Sequence, residues 1–481
     1  MFKEGSLKSK TVSSLKWSAL DKLASSSIQF AIGVFIARLL LPSDYGLVGM
    51  ITVFIAFSQS LIDGGFSSAL IQKKNPENKD YSTSFYFNVF VGIILYAILF
   101  FASPFIAKFY NQPILENLSQ VMGLNFIIIS FSITQTAYLN KHLNFKTQTK
   151  ISVLTAIISG IIGVIAAYNG LGVWAIVIQT LSRNLINTII IWFSSTWFPS
   201  LEFSFDSLKS MFKFGSRLMG SNILNVVSDN IYSIVIGKYY SAQDLGFYSR
   251  SSQLNQFPAS SVTSVLQRVF LPVFSQLQDE NSRLIAAYRK AIKLIAFLMF
   301  PLMFGLGAVA KPLVLILLTG KWLPVVPMLQ IMVLFGMFYP IHAINLNILN
   351  VKGRSDLFFN LEIIKKILTG FIILVTISLG LKAMIIGAVF LSGISFFINT
   401  YYTKKIFGYG PLNQIKDFYS SFILAFLMGV LVYIICNYIN NPYISLLVSI
   451  PTGIVFYVLI SLKSNFEQLV EIKTFFTKNG N

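Results

Sequence analysis

The chain has 481 residues, 55% hydrophobic and only 11% charged, with a mean hydropathy of +0.70. Soluble domains carry about a quarter charged residues, so the composition excludes one and points to a polytopic membrane protein. The formal net charge of +19 does not indicate a nucleic-acid binder, because the cations sit in short pieces between apolar stretches rather than on one soluble face.

A bilayer span needs roughly 20 mostly apolar residues, and on that rule the chain is all-α with about 14 transmembrane helices. The first six spans are predicted near 13–39, 43–64, 82–108, 114–138, 146–168 and 171–196. The next six fall near 213–238, 243–268, 284–310, 323–349, 357–380 and 382–402, and the last pair near 414–438 and 442–462. The first apolar segment is long and lacks a small-residue cleavage site, so it reads as a span and not a signal peptide. Pro104, Pro301 and Pro340 lie inside spans and predict kinks. The single cysteine, Cys436, excludes an intrachain disulfide.

Lys and Arg alternate between the two sides. One side holds Lys73, Lys74, Lys79, Lys141, Lys146, Lys150 and most of the remaining cations, together with both termini. The other holds Arg38, Lys108, Lys238, Lys311, Lys321 and Lys382, while Arg183 and Arg250 fall inside spans. This asymmetry predicts cytoplasmic N- and C-termini.

An internal repeat organises the spans. Ile36-Ala37-Arg38, five residues, then Asp44-Tyr45-Gly46 recurs 200 positions later as Ile236-Gly237-Lys238 and Asp244-Leu245-Gly246. Lys16-Trp17-Ser18 and Lys213-Phe214-Gly215 open the two copies. An even number of helices separates them, which predicts two parallel six-helix lobes, with binding expected where the halves meet. The expected divisions are 1–205 for the N-lobe, 206–405 for the C-lobe, and 406–481 for a C-terminal helix pair and cytoplasmic tail. Residues 197–212 read as a cytoplasmic linker ending in a short amphipathic piece.

Polar side chains recur at helical spacing inside the spans, where they are costly and face a bundle interior or a wet cavity. The first span places Ser14, Ser18, Asp21, Ser25 and Gln29 on one face; the seventh places Asn222, Asn225, Asp229 and Ser233. The sixth carries Gln179, Arg183 and Asn187, and the eighth Arg250, Gln253 and Gln256. One reading is helix-on-helix packing, with Asp21 or Asp229 neutralised by Lys22 or an arginine. The other is a cationic cavity for an anionic substrate, since the arginine fork suits phosphate. Asp63, at the inner end of the second span, either snorkels, caps or couples an ion. No His/Cys/carboxylate cluster has metal-ligand spacing and no Walker-type glycine loop occurs, so the chain is expected to be neither an enzyme nor an ATP-driven pump, with no metal and no cofactor.

Phe35-Ile36-Ala37-Arg38-Leu39-Leu40 with Asp44-Tyr45-Gly46-Leu47-Val48, and Asp63-Gly64-Gly65-Phe66 with Ala69-Leu70-Ile71-Gln72-Lys73, resemble the first hairpin of Wzx-type polysaccharide exporters. Leu245-Gly246-Phe247-Tyr248-Ser249-Arg250 with Gln253-Leu254, Pro272-Val273-Phe274-Ser275-Gln276-Leu277-Gln278, Lys321-Trp322-Leu323-Pro324 and Gly353-Arg354-Ser355-Asp356 are similar to the same family. That family belongs to the multidrug/oligosaccharidyl-lipid/polysaccharide exporter superfamily, and the pattern is nearest its colanic-acid and teichuronic-acid exporter branch. The resemblance implies a flippase in a bacterial inner membrane, working by alternating access in the biosynthesis of O-antigen, capsule or exopolysaccharide. Its implied cargo is an undecaprenyl-pyrophosphate-linked oligosaccharide, its other partners are membrane lipids and polysaccharide-assembly proteins, and its implied coupling is to H⁺ or Na⁺.

Arg250, Arg38, Asp44 and Asp63 fall on matched motifs, whereas Arg183 and Asp229 match none. On this reading Arg183, Arg250, Gln253, Gln179, Asn187, Asn222 and Asn225 bind substrate, Asp21, Asp229 and Asp63 couple an ion, and Arg38 and Asp44 form the outer hairpin. A drug/cation antiporter of the same superfamily would want an acidic cavity, which Asp21 suits and the two arginines do not. A membrane polysaccharide polymerase or ligase would present a large outer loop, and none is predicted.

Overall fold

The computed structural model describes residues 4–464, 466, 468 and 469, with side chains from residue 17 onward except 18, 19, 22, 23 and 217. Ser14 and Ser18 of the expected polar face therefore lie outside the described side chains. The helices are α1 (Glu4–Leu39), α2 (Pro42–Asp63), α3 (Phe66–Gln72), α4 (Asn78–Tyr110), α5 (Ile114–Lys141), α6 (Phe145–Tyr168), α7 (Val173–Ser194), α8 (Phe205–Tyr239) and α9 (Ala242–Gln276). They continue as α10 (Asn281–Ala308), α11 (Ala310–Leu317), α12 (Val325–Gly336), α13 (Tyr339–Val351), α14 (Ser355–Thr376), α15 (Leu381–Phe407), α16 (Pro411–Tyr438) and α17 (Pro442–Lys463). No strand occurs among the described residues. The protein is an all-α polytopic membrane protein.

Several boundaries depart from expectation or carry a local signal. The amphipathic piece before the seventh span is continuous with it: Ser204 caps α8 by accepting from the Ser207 amide at 3.2 Å, and the helix runs unbroken for 35 residues. The eighth span extends past 268 to Gln276, carrying Pro258 and Pro272 inside it. The tenth span is two helices, because Pro340 has no amide hydrogen to continue α12 and instead sits in the first turn of α13. The Asp63-Gly64-Gly65 motif ends α2 and starts α3, with both glycines at positive φ (54° and 75°), a conformation only glycine adopts cheaply.

Among the described residues, ten helical segments are long and apolar enough to cross a bilayer. Their outward faces are lipid-compatible: Phe90, Ile94, Ile98, Phe101 and Phe105 form one exposed stripe on α4. Apart from the apolar piece Ala24–Leu39, α1 falls short of that criterion, and so do α8, α9 and α14. Three of these four, α1, α8 and α9, are the helices that carry the repeated polar residues.

The chain divides into two compact units, Met1–Gly246 and Phe247–Asn481. This division lies beyond the 205/206 boundary read from the repeat, because α8 packs along α2 and touches α3 and α4. In sequence α8 opens the second copy; in space it completes the first unit. In the second unit α10 packs against α16 and α12, α15 against α12, α13 and α14, and α17 against α16 and α11.

The two Asp-x-Gly turns are built alike. Asp44 accepts from the Leu41 amide at 2.9 Å. Asp244 accepts from the Ser241 amide at 3.3 Å and its hydroxyl at 2.7 Å, while the Asp244 amide donates back to that hydroxyl at 3.0 Å. Both aspartates therefore satisfy orphan donors at a helix start. Asp44→Ala and Asp244→Ala are each expected to cost about 1 kcal/mol, the second more because two donors, the Ser241 amide and hydroxyl, lose their acceptor. Thermal unfolding of the purified protein checks this; unchanged midpoints would mean the turns are held by other contacts.

Candidate functional site

Within the first unit, neighbouring helices form a continuous series, α1 on α6, α6 on α7, α7 on α2, and α2 on α8. The approach of α1, α6 and α7 is set by small residues: Gly160 lies against Ile32, and Gly163 against the stem of Gln179. Ile36, Leu40, Ala166, Ala167, Ala175 and Ile176 pack at one end of these three helices. On the other side, α7 is fastened to α5 by Asn184 donating to Asn125 at 2.6 Å, Thr188 to the Ile128 carbonyl at 3.1 Å, and Trp192 to the Phe131 carbonyl at 2.9 Å.

These fastenings fix which way Arg183 points. Leu185 and Ile189 are exposed and apolar, and at 3.6 residues per turn Arg183 stands about 120–160° round α7 from them. Arg183 is exposed and makes no hydrogen bond or ion pair among the described residues. Gln179 and Asn187, both half-buried, lie within about 40° of it on the same face. On α8, Asn222, Asn225 and Asp229 are all exposed and lie within about 60° of one another. Thr52 and Gln59 form an exposed polar stripe on α2. On α1, Asp21, Ser25 and Gln29 are half-buried, and one Asp21 carboxylate oxygen is buried with no partner among the described residues.

The other acidic candidates have local partners. Asp63 accepts from the Ser67 amide at 3.3 Å and the Ser67 hydroxyl at 2.5 Å, capping α3. Asp44 caps α2 as described, and Arg38, in the last turn of α1, is exposed.

The repeat motif has a second role that spacing alone did not reveal. A methyl group on Gly46 would stand 1.7 Å from the Ala242 carbonyl oxygen, and one on Gly246 would stand 1.8 Å from the Pro42 carbonyl oxygen. Positions 42 and 46 of the first copy correspond to 242 and 246 of the second, and 46 meets 242 as 246 meets 42, so the contact is self-complementary, as two-fold related surfaces are. At the opposite end of α2, Gly215 of the Lys-Phe-Gly triplet meets Gly64 and Gly65: a methyl on Gly215 would lie 2.3 Å from the Gly64 carbonyl oxygen. α2 is thus met backbone-on-backbone at both ends, by the start of α9 at one and by α8 at the other.

In the second unit, Arg250 is buried (7% exposed), donates to Gln253, and lies over the Trp322 ring at 5.9 Å. Gln253 itself is exposed, as is Gln256. His342 is a packing histidine: Asn399 donates to its Nδ1 at 3.2 Å, leaving Nε2–H for Ser392 at 3.1 Å. The residues that sequence reasoning missed lie at the base of α10 and α16. Arg289 grips Asp417 through two parallel bonds of 2.9 and 2.8 Å, and Tyr409 donates to the same carboxylate at 2.7 Å. Burial and that carboxylate push the Tyr409 phenol up, so it stays a donor. Behind them Gln414 donates to the Tyr288 hydroxyl at 2.9 Å.

In the ion pair Asp417 is the buried member (7% exposed) and Arg289 is half exposed. Removing the cation strands a buried carboxylate, whereas removing the carboxylate leaves a cation that water can reach. Arg289→Ala is therefore expected to cost about 2 kcal/mol and Asp417→Asn about half that. The reverse order of unfolding midpoints would refute this assignment of the buried partner.

Residues 35–327, more than half of the chain, match the polysaccharide biosynthesis protein family. The chain belongs to that family. This polysaccharide biosynthesis protein is 27% identical over 356 residues to the teichuronic acid biosynthesis protein TuaB of Bacillus subtilis (strain 168), covering 74% of each chain. It is 28% identical over 484 residues to an uncharacterized membrane protein in the cps region of Klebsiella pneumoniae, covering 98% of each. Its fold is similar to that of the lipid II flippase MurJ in an inward closed conformation, with a TM-score of 0.75 and 16% identity over 94% of this chain and 99% of that one. The family read from the motifs is thus the family found, and the likeness to MurJ is one of fold.

Proposed function

We propose that this protein is a flippase that carries an undecaprenyl-pyrophosphate-linked oligosaccharide from the cytoplasmic to the periplasmic leaflet of a bacterial inner membrane. The observation that carries the reading is Arg183. A midspan guanidinium that is exposed, unpartnered and turned away from the lipid-facing stripe is tolerable only beside water or an anion. A pyrophosphate supplies that anion, and the guanidinium fork matches its oxygens. The polar stripes of α1, α2, α7 and α8 are read as one hydrated wall that passes the sugars while the prenyl tail stays in lipid. Family membership and the fold shared with MurJ support the cargo class.

The lysine-rich end is assigned to the cytoplasm, with both termini, by the charge asymmetry of the loops. The Gly46/Gly246 contact, between the starts of α2 and α9, then closes the periplasmic end. Asp21, with a buried unpartnered oxygen, and the exposed Asp229 are the candidates for H⁺ or Na⁺ coupling. The chain has no catalytic role in this scheme. Complementation of an exporter-deficient strain tests it: restored surface polysaccharide is expected, with no cytoplasmic-leaflet build-up of lipid-linked glycan. Build-up that persists at normal protein levels would overturn it.

A further inference from the structure

At its lysine-rich end the first unit contains a pocket of about 450 Å³ that is lined by none of the candidate site residues above. Its size is that of small-molecule sites. Tyr138 and Trp197 stack at 6.3 Å with an interplanar angle of 29°, and Tyr81 meets Tyr138 edge-on at 5.4 Å. The wall is preorganised: the Trp197 indole N–H donates to Asn78 at 2.5 Å, and its carbonyl accepts from Gln135 at 3.2 Å. Lys141 is fixed by donating to the Ile71 carbonyl at 2.6 Å and to the Lys73 carbonyl. Lys74 is exposed and has no hydrogen-bond or ion-pair partner among the described residues. No lining residue is acidic, and nearby Asp80 and Glu77 are already paired with Lys73 and Lys79 at 2.7 and 2.9 Å.

Tyr81 supplies the decisive observation. It lines the pocket, is only 4% exposed, and its hydroxyl has no hydrogen-bond partner. In this conformation the hydroxyl is closed off from solvent, and a ligand that displaces the side chains over it recovers the free energy of an unsatisfied buried group by bonding to it. Flat aromatic faces suit the C–H face of a sugar ring, the hydroxyl suits a sugar hydroxyl, and a free ammonium suits phosphate.

We propose that this pocket binds a phosphorylated hexose, with the ring against Tyr138 and Trp197, a sugar hydroxyl on Tyr81 and the phosphate at Lys74. Its source is either a lipid-linked glycan or a soluble sugar phosphate. The proposal rests on the flippase reading only for the first of these sources.

Titration of the purified full-length protein with glucose 1-phosphate, glucose and inorganic phosphate, followed by calorimetry, tests it without any transport step. Failure here leaves the export reading standing, and failed complementation leaves this one standing. Glucose 1-phosphate is expected to bind at least about tenfold tighter than either fragment, and Lys74→Ala and Tyr81→Phe are each expected to weaken it about tenfold. Tyr81→Phe keeps the ring and Lys74 is exposed, so both variants should fold, which unchanged unfolding midpoints would verify. Equal binding of inorganic phosphate, unchanged affinity in both variants, or no binding would overturn the proposal. Tighter binding of the same headgroup on a polyprenyl chain in nanodiscs would identify the lipid-linked source, and equal binding the soluble one.

Discussion

Gly46→Ala is expected to abolish export. A methyl carbon 1.7 Å from the Ala242 carbonyl oxygen lies far inside 3.0 Å, a distance real side-chain carbons essentially never cross. Both atoms belong to capped helix starts, so neither can rotate away as a side chain tip would. Overpacking a core costs about 1–3 kcal/mol when side chains can shift, and here the relief available is separation of the two turns. Gly246→Ala imposes the same clash on Pro42 at 1.8 Å and is expected to give the same phenotype. Once one methyl has parted the turns the second meets no resistance, so the double variant should be no worse than either single, a non-additive result for a shared contact. Complementation measures the loss, with protein level and unfolding midpoint confirming that the variants fold. Full export by either single variant would show that close approach of the turns is dispensable.

Arg183→Ala should separate activity from stability in the opposite sense. Arg183 gives up no hydrogen bond on removal, and a midspan guanidinium is costly to hold, so the unfolding midpoint should stay level or rise. Export should fall at least about tenfold, the loss of one charge-assisted contact to cargo. Arg183→Lys keeps the charge but not the fork and should retain partial activity. This is the trade-off expected where a destabilising group is kept for function. A drop in midpoint with export intact would make Arg183 a packing residue and remove the main support for an anionic cargo.

The sequence showed most of the fold because lipid leaves few alternatives. Long apolar stretches must be helices, and the Lys/Arg alternation counted them. It misplaced the start of α8 because residues 205–212 are too polar to read as a span, although Ser204 was a visible cap. It did not foresee that α12 and α13 are separate, although Pro340 marked the place. For the site, helical spacing grouped Gln179 with Arg183 and Asn187, and Asn222 with Asn225 and Asp229. It could not tell that Arg250 is buried against Trp322, since that neighbour is 72 positions away. The roles of Gly46, Gly246, Gly65 and Gly215 were hidden for the same reason, because a glycine in a turn motif looks identical whether it bends the chain or admits another backbone. Arg289, Asp417 and Tyr409 share no motif or helical spacing in the sequence, and only their meeting makes a network.

The double fastening of α2 to α8 and the turn after it limits the motions open to this pair. From Gly215 to Ala242, α8 and the short turn that follows it span about 40 Å, and this stretch is pinned to α2 at each tip by contacts that side chains cannot cushion. Such a rod does not part in the middle; it turns on one tip as a fulcrum while the other lifts. With that lever arm a tilt of about 10° opens the free tip by about 7 Å, more than the 4.7 Å that separates paired strands. Under the proposed export cycle, alternation between the two sides of the membrane would be an exchange of fulcrums, with the glycines at either tip as the contacts that part and re-form.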